Sequence, residues 1–138
     1  MVFQHTLSFS TSGRSTTNIS QQVQAIVAQS NIQLGTCHVF VQHTSASLML
    51  CENADPDVQI DMETYMQHIV PDGHAMFLHQ DEGSDDMSAH IRTVLTNPDL
   101  TIPVTKGQCA LGIWQGIYLW EHRTHPHQRR VIVTVQGE

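Results

Sequence analysis

Ten of the 138 residues are histidine, and three of them stand beside carboxylates in segments rich in turn-forming residues. His43 begins the run HTSASLMLCENADPDV, and His79 and His90 bracket the acidic run of HQDEGSDDMSAH. Imidazole is the commonest metal ligand in proteins and the side chain that titrates nearest neutral pH. These three histidines are therefore the first candidates for chemistry, although an isolated histidine is more often a satisfied core or surface residue.

The predicted elements give these histidines a way to meet. His43 lies at the end of a predicted strand, His90 falls in the second turn of a predicted helix, and His79 lies on the extended approach to that helix. Three imidazoles bind zinc or a similar ion and leave one position open for water or substrate. Glu82 and Asp86 could orient imidazole N–H groups or take a proton from bound water. The alternative is a solvated acidic loop with a surface histidine.

A second candidate cluster occupies the segment GIWQGIYLWEHRTHPHQRR. Arg123, Arg129 and Arg130 are half of the six Lys and Arg residues of the chain. Guanidinium groups bind phosphate through two parallel hydrogen bonds, so an anionic ligand is predicted here. Arginines that pair with nearby acids on the rim of a sheet are the competing interpretation. The histidines of the EHRTHPH stretch form either a second metal-binding tract or an exposed loop.

The charge balance excludes some partners. Six Lys and Arg stand against thirteen Asp and Glu, a net charge of -7, which leaves little to build the basic face that nucleic-acid binding needs. No basic amino-terminal region precedes an apolar run, and no apolar stretch approaches membrane-spanning length, so we expect no membrane partner and a cytoplasmic location.

Three cysteines without a CxxC pair argue against a disulfide framework and a cysteine zinc site. The low charged share, 14%, favours surface hidden in an oligomer.

Hydrophobic periodicity predicts one α+β domain over residues 1–138, built mainly of antiparallel sheet in a sandwich-like arrangement with about three helices. The first helix is predicted from Thr17 or Asn18 to Gln29. Asp55 and the following proline begin the second helix, and Asp85 caps the third. Strands are predicted over residues 3–9, 36–43, 46–52, 100–104, 108–114, 117–121 and 129–136.

Five motifs follow one another in a fixed order from about residue 36 to the carboxyl terminus: HTSASL, ENADPDV, HQDEGSDDMSAHI, IPVTKG and GIWQGIYLWEHR. In these motifs the chain resembles the YjbQ family of secondary thiamine-phosphate synthases. The resemblance implies an α+β domain that assembles as a homotrimer with a metal-associated histidine site. It also implies a weak activity that joins a pyrimidine pyrophosphate to a thiazole phosphate with release of pyrophosphate.

The resemblance and the residue patterns described above together give expected roles to individual residues. His43, His79 and His90 match the family's histidines, with zinc as the expected metal and Mg²⁺ as the alternative for phosphorylated substrates. The expected catalytic residues are Glu82, Asp86, Asn53 and Gln115. The expected substrate-binding residues are Arg123, Arg129, Arg130 and Trp114.

A site of three histidines suits the activation of water or the polarisation of a carbonyl group. Transfer between phosphorylated substrates normally uses Mg²⁺ on carboxylates and a dense cationic pocket. Two alternatives to the synthase therefore stand beside it. One is a zinc-dependent hydrolase or lyase acting on another small phosphorylated metabolite, and the other is a metal-binding or metabolite-binding module without catalysis.

Overall fold

Every strand pairing in this chain is antiparallel. The computed structural model describes all 138 residues and contains eight strands and three helices. In chain order they are β1 (Val2–Thr11), β2 (Ser15–Asn18), α1 (Ser20–Ser30), β3 (Leu34–Val41), β4 (Ala46–Glu52), α2 (Pro56–Ile69), α3 (Asp86–Leu95), β5 (Asp99–Thr105), β6 (Gln108–Cys109), β7 (Gln115–Glu121) and β8 (His127–Gly137). The predicted fold class, with its three helices, is confirmed.

Two sheets form the frame. One has five strands in the order β1-β8-β3-β5-β6, and the other has three in the order β2-β7-β4. The main core is built by α1 and by alternate residues of both sheets, such as Val39 of β3, Leu48 of β4 and Val133 of β8, all fully buried. Successive side chains of a strand point to opposite faces, so one face of each sheet supplies this core.

Strand β7 is buried on both faces. Ile117 and Leu119 belong to the main core, while Tyr118 and Trp120 pack on the opposite face with Met66 of α2. Helices α2 and α3 both contact the neighbouring strand β4, so they lie on the outer side of the three-stranded sheet. The carboxyl end of β7 is buried, as Trp120, Glu121 and the following His122 show.

Three predicted boundaries are wrong. Helix α1 begins at Ser20 rather than at Thr17 or Asn18, because the preceding residues pair with β7 as strand β2. The predicted strand over residues 108–114 is reduced to β6, which forms a hairpin with β5 through the turn at Lys106 and Gly107. Strand β3 ends at Val41, so His43 lies beyond its end.

Helix α2 starts as predicted, with Pro56 in its first turn and the Asp55 carboxylate accepting a hydrogen bond from the Asp57 N–H. Its apolar stripe, however, is largely exposed. Met66 is its only buried residue, whereas Tyr65 and Ile69 are 64% and 45% exposed. No helix in the chain combines the length and the apolar character that a bilayer crossing requires.

Candidate functional site

His79, Asp86 and His90 converge at the start of α3. One potential ligand atom from each residue lies within 4.8 Å of the others. The Nε2 atoms of His79 and His90 lie 2.6 Å and 3.3 Å from the same Asp86 oxygen, Oδ2. Asp86 and His90 share a helix face because they are one turn apart, and His79 is supplied by the segment before the helix. Two imidazoles and a carboxylate are a ligand set that suits zinc or iron(II).

Arg123 fixes the carboxylate of this cluster from behind. Arg123 lies two residues beyond the end of β7. Its Nη1 donates to Oδ1 of Asp86 at 2.8 Å. Its Nε donates to Asp85 at 2.8 Å, and its Nη2 donates to the backbone carbonyl of Glu82 at 2.9 Å. Burial tends to raise the pKa of Asp86, but the hydrogen bond with His79 and the charge of Arg123 outweigh it and lower that pKa. Asp86 is therefore held ionised, with Oδ2 turned to the histidines.

The cluster is buried at its carboxylate and open at its rings. The Asp86 side chain is 2% exposed, whereas those of His79 and His90 are 44% and 33% exposed. A ligand can therefore reach the imidazoles from solvent. Glu82 is exposed in the adjoining loop, and its carboxylate makes no hydrogen bond or ion pair.

His43 lies elsewhere in the chain. Its Nε2 accepts a hydrogen bond from the backbone N–H of Arg130 at 2.8 Å, and it lines a separate cavity of about 460 Å³ with Ser45 and Arg129. The sheet holds His43 at this position, because the Gln42 N–H donates to the Arg130 carbonyl and continues the pairing of β3 with β8. Burial and the charge of Arg129 lower the pKa of His43. A single chain thus brings together two of the three predicted histidines.

The predicted phosphate-binding arginines are mostly engaged with acids. Arg129 is buried and donates to Ser45 and to both carboxylate oxygens of Glu121. Four arginines of the chain form carboxylate pairs: Arg14 with Asp72, Arg92 with Glu63, Arg123 with Asp85 and Asp86, and Arg129 with Glu121. Arg130 is exposed and makes no ion pair. Arg123 and Arg129 therefore pair with carboxylates, which is the interpretation that stood against phosphate binding in the sequence analysis.

Asn53, Trp114 and Gln115 lie at the other end of the three-stranded sheet. Gln115 and Glu121 are the two ends of β7, which at about 3.3 Å per residue separates them by about 20 Å. Asn53 donates from Nδ2 to two backbone carbonyls of this loop, and Trp114 is 61% exposed rather than buried in the core. Within one chain these residues do not reach the His79–Asp86–His90 cluster.

His122 forms no metal tract with its neighbours. It is fully buried, and its Nε2 lies 2.8 Å from the Oγ of Ser47. Burial and the charge of Arg92 lower the pKa of His122 to about 3, so its ring is neutral at physiological pH. No acid orients its Nδ1, which has no partner, and a serine nucleophile of the usual kind is therefore not assembled.

Sequence reasoning gave Asp86 an orienting or proton-accepting role and did not name it as a ligand. The available signal was its spacing of four residues from His90 inside a predicted helix, which places both side chains on one face. Asp85, assigned as a side-chain cap, instead accepts hydrogen bonds from Arg123 and from the Thr124 N–H.

Comparison with known proteins agrees with the motifs. The model of the family described as UPF0047 protein YjbQ-like matches residues 5–138. A UPF0047 protein of Synechocystis sp. is 49% identical over 135 residues, covering 98% of this chain and 92% of the relative. UPF0047 protein YjbQ of Escherichia coli O157:H7 is 41% identical over the full length of both chains. A conserved hypothetical protein of Thermus thermophilus superposes with a TM-score of 0.85 at 30% identity, covering 96% of this chain and 99% of that one. The chain therefore belongs to the YjbQ-like UPF0047 family.

Proposed function

We propose that this protein is a metal-dependent enzyme acting on a small molecule, with the metal held by His79, Asp86 and His90. The observation that carries the proposal is the convergence of three ligand atoms within 4.8 Å, with the two imidazoles open to solvent. The residues fit a divalent transition metal, and zinc is the proposed ion. Such an ion would supply Lewis-acid activation of water or of a carbonyl or phosphoryl oxygen.

Two residues beside the cluster have separate proposed roles, one in positioning a ligand and one in proton transfer. Arg123 holds Asp86 ionised and correctly oriented, so it acts as a positioning residue. Outer hydrogen bonds of this kind fix the geometry and basicity of metal ligands. Glu82 is the proposed general base, because its carboxylate is exposed and has no hydrogen-bond or ion-pair partner. Arg123 donates a hydrogen bond to the Glu82 backbone carbonyl and so holds this loop beside the cluster.

The arginine pairing favours hydrolase or lyase chemistry as the principal reaction. Transfer from a pyrophosphate requires cationic groups aimed at the leaving phosphates, and among the predicted phosphate-binding arginines only Arg130 is unpaired. We therefore assign the thiamine-phosphate formation implied by the family resemblance to this site as a side activity. The principal substrate would be a small metabolite whose reacting oxygen lies at the metal position.

We also propose the homotrimer that the resemblance implies. Apolar side chains remain exposed along α2 and α3 and in the loop that carries His79, including Tyr65, Val94 at 82% and Leu78 at 99%. Large exposed apolar patches usually mark interaction sites, and burial here would enclose the open face of the metal cluster. Light scattering after size exclusion should give about three times the 15.5 kDa chain mass, and a monomer at micromolar concentration would refute the assembly.

Elemental analysis of protein purified without a histidine tag tests the metal proposal. We expect about one zinc ion per chain in the wild type and strong loss of zinc in His79→Ala and His90→Ala. His68→Ala, an exposed histidine on α2, is the matched control and should retain the metal. His43→Ala should also retain it, because His43 is bonded to Arg130 in a different cavity. Equal zinc in wild type and both ligand variants, or none in any of them, contradicts the site.

A second measurement separates metal binding from catalysis. Glu82→Gln should keep the zinc content and lose hydrolysis of p-nitrophenyl phosphate, a probe for metal-activated water, while Asp81→Asn, an exposed neighbouring acid, should keep both. Arg123→Ala should lower zinc content as well as turnover, because Asp86 loses its clamp. Wild-type protein that binds zinc but forms no thiamine phosphate above background from the two phosphorylated precursors would refute the side activity alone and leave the metal site unaffected.

A further inference from the structure

The cavity that His43 lines carries one guanidinium group and no carboxylate on its wall. It has a volume of about 460 Å³ and is formed by residues 40–45 at the end of β3 and in the loop that follows, by Pro98 just before β5, and by Arg129 of β8. The whole chain, by contrast, has a net charge of -7. An anion that enters this cavity therefore meets a cation and no charge of its own sign on the wall.

Arg129 has one nitrogen available for a ligand. Its side chain is only 4% exposed, and its Nε and Nη2 atoms donate to the Glu121 carboxylate and to Ser45. The third nitrogen, Nη1, has no hydrogen-bond partner in the chain, and it is not enclosed in the interior. Because Arg129 lines the cavity, Nη1 can donate to an oxygen atom inside it.

The loop between β3 and β4 adds further donors. The backbone N–H groups of His43, Thr44 and Ser45 donate to no acceptor in the chain, and consecutive free N–H groups are a recurring part of anion sites. The Ser45 Oγ accepts a hydrogen bond from Arg129, which leaves its own proton free to donate. The His43 Nε2 accepts from the Arg130 N–H, so the proton of the neutral ring is on Nδ1 and can also be donated.

The rest of the wall favours an organic carboxylate over inorganic phosphate. Glu121 already balances the charge of Arg129, so the cavity offers many donors with little net positive charge, which suits a monoanion better than a dianion. Phe40, 39% exposed, and Pro98 give the cavity an apolar side. Sites for small molecules commonly combine an apolar wall with a few convergent polar groups.

We propose that this cavity binds the carboxylate group of a small organic acid, through Nη1 of Arg129 and the free N–H and O–H donors of residues 43–45. The apolar part of the acid packs against Phe40 and Pro98. This site is separate from the His79–Asp86–His90 cluster within one chain and requires no metal. The same affinity is therefore expected in His79→Ala, so the metal site and the carboxylate site can fail independently.

Titration of the ¹⁵N-labelled full chain with sodium benzoate, followed by amide chemical shifts, tests the proposal. We expect saturable shifts centred on residues 42–45 and on the amides of Arg129 and Arg130. Benzamide, which has the shape of benzoate without its charge, and inorganic phosphate should each bind at least about ten-fold more weakly at equal ionic strength. Benzamide or phosphate that binds as tightly as benzoate, or benzoate that causes no saturable shifts at these residues, would overturn the proposal.

Single substitutions test the individual donors. Ser45→Ala and His43→Ala should each weaken benzoate binding by about ten-fold, because each removes a hydrogen bond to a charged group. His38→Ala is the matched control, since His38 also lies on the β3 side of the sheet but bonds to Asp99 outside the cavity, and it should bind benzoate as the wild type does. Equal affinities in all three variants would contradict the assigned donors.

The contribution of the guanidinium group requires a paired substitution. Arg129→Met alone would leave the buried Glu121 carboxylate without a partner, whereas Arg129→Met with Glu121→Gln leaves no buried charge unpaired. This double variant should lose saturable benzoate binding, and a double variant that binds benzoate as the wild type does would overturn the role of Arg129. The comparison of benzoate with benzamide on the wild type does not depend on the folding of any variant.

Discussion

Replacing Glu121 by glutamine would leave a buried arginine without its counter-charge. Glu121 is fully buried and accepts hydrogen bonds from the Nε of Arg129 at 2.7 Å and from the Oγ1 of Thr11 at 2.6 Å. Arg129 is itself only 3% exposed, so its charge cannot turn to solvent. Removing one partner of a buried ion pair costs about 3–5 kcal/mol. Because single domains unfold at a cost of about 5–15 kcal/mol, Glu121→Gln should lose a large part of the stability of the chain.

The pH dependence of this loss has a definite sign. Burial tends to raise the pKa of Glu121, but the hydrogen bonds from Arg129 and Thr11 outweigh it and lower that pKa in the folded protein. A carboxyl group of this kind contributes stability above its unfolded pKa of about 4.3, and the contribution is lost as pH falls through the folded value. The difference between wild type and Glu121→Gln should therefore be complete at pH 7 and shrink in acid.

Urea denaturation followed by circular dichroism, at one protein concentration, measures the effect. The double variant Glu121→Gln with Arg129→Met should recover much of the loss, because an uncharged pair of similar volume leaves no buried charge unpaired. Asp99→Asn is the surface control, since its 2.7 Å contact with His38 is nearly half exposed and such pairs contribute about 0–1 kcal/mol. A Glu121→Gln loss below about 1 kcal/mol, or a double variant as unstable as the single one, would refute the reasoning.

Two further substitutions test the interior. His122 has a folded pKa of about 3 and an unfolded pKa of about 6.5, so it should remove about 2 kcal/mol of stability between pH 7 and pH 5, as the unfolded chain takes up a proton. His122→Gln should lack this component of the pH slope in urea titrations, and equal slopes would contradict the assignment. A Cβ at Gly35 would collide with the Gln136 carbonyl oxygen, so Gly35→Ala should open the β3–β8 pairing and abolish soluble expression. Gly112→Ala, whose new Cβ approaches only a flexible side chain at 3.3 Å, should express normally, and equal soluble yields would contradict this account.

Local sequence signals predicted the elements that carry the His79–Asp86–His90 cluster. Apolar spacing and an acidic start located α3, and His90 does lie in its second turn. The Asp55 cap likewise fixed the start of α2. These features depend on neighbours within a few residues, because caps and helical periodicity are properties of short segments. These local features were sufficient to place Asp86 and His90 on one helix, one turn apart.

Contacts distant in sequence determined the features that the local patterns did not predict: the partners of Arg123, the surroundings of His43 and the formation of β2. Arg123 bonds to an aspartate 37 residues earlier, and no local pattern tells whether such an arginine meets a phosphate or a carboxylate. His43 was assigned to the cluster by its place at the end of a predicted strand and by motif match, yet its environment is set by the β3–β8 pairing with Arg130. The four residues of β2, just before α1, became a strand because β7 offered them a partner. Local propensity yields to tertiary pairing in short segments.

The pairing of buried arginines with single acids constrains how this sequence can evolve. Loss of Glu63 alone would leave Arg92 charged and fully buried, and loss of Glu121 alone would do the same to Arg129. Each step costs several kcal/mol before the second change can compensate. The members of each pair should therefore be exchanged together among descendants of this chain, and co-variation at these positions would record it. Lys106, which has no acidic partner, can be replaced in a single step.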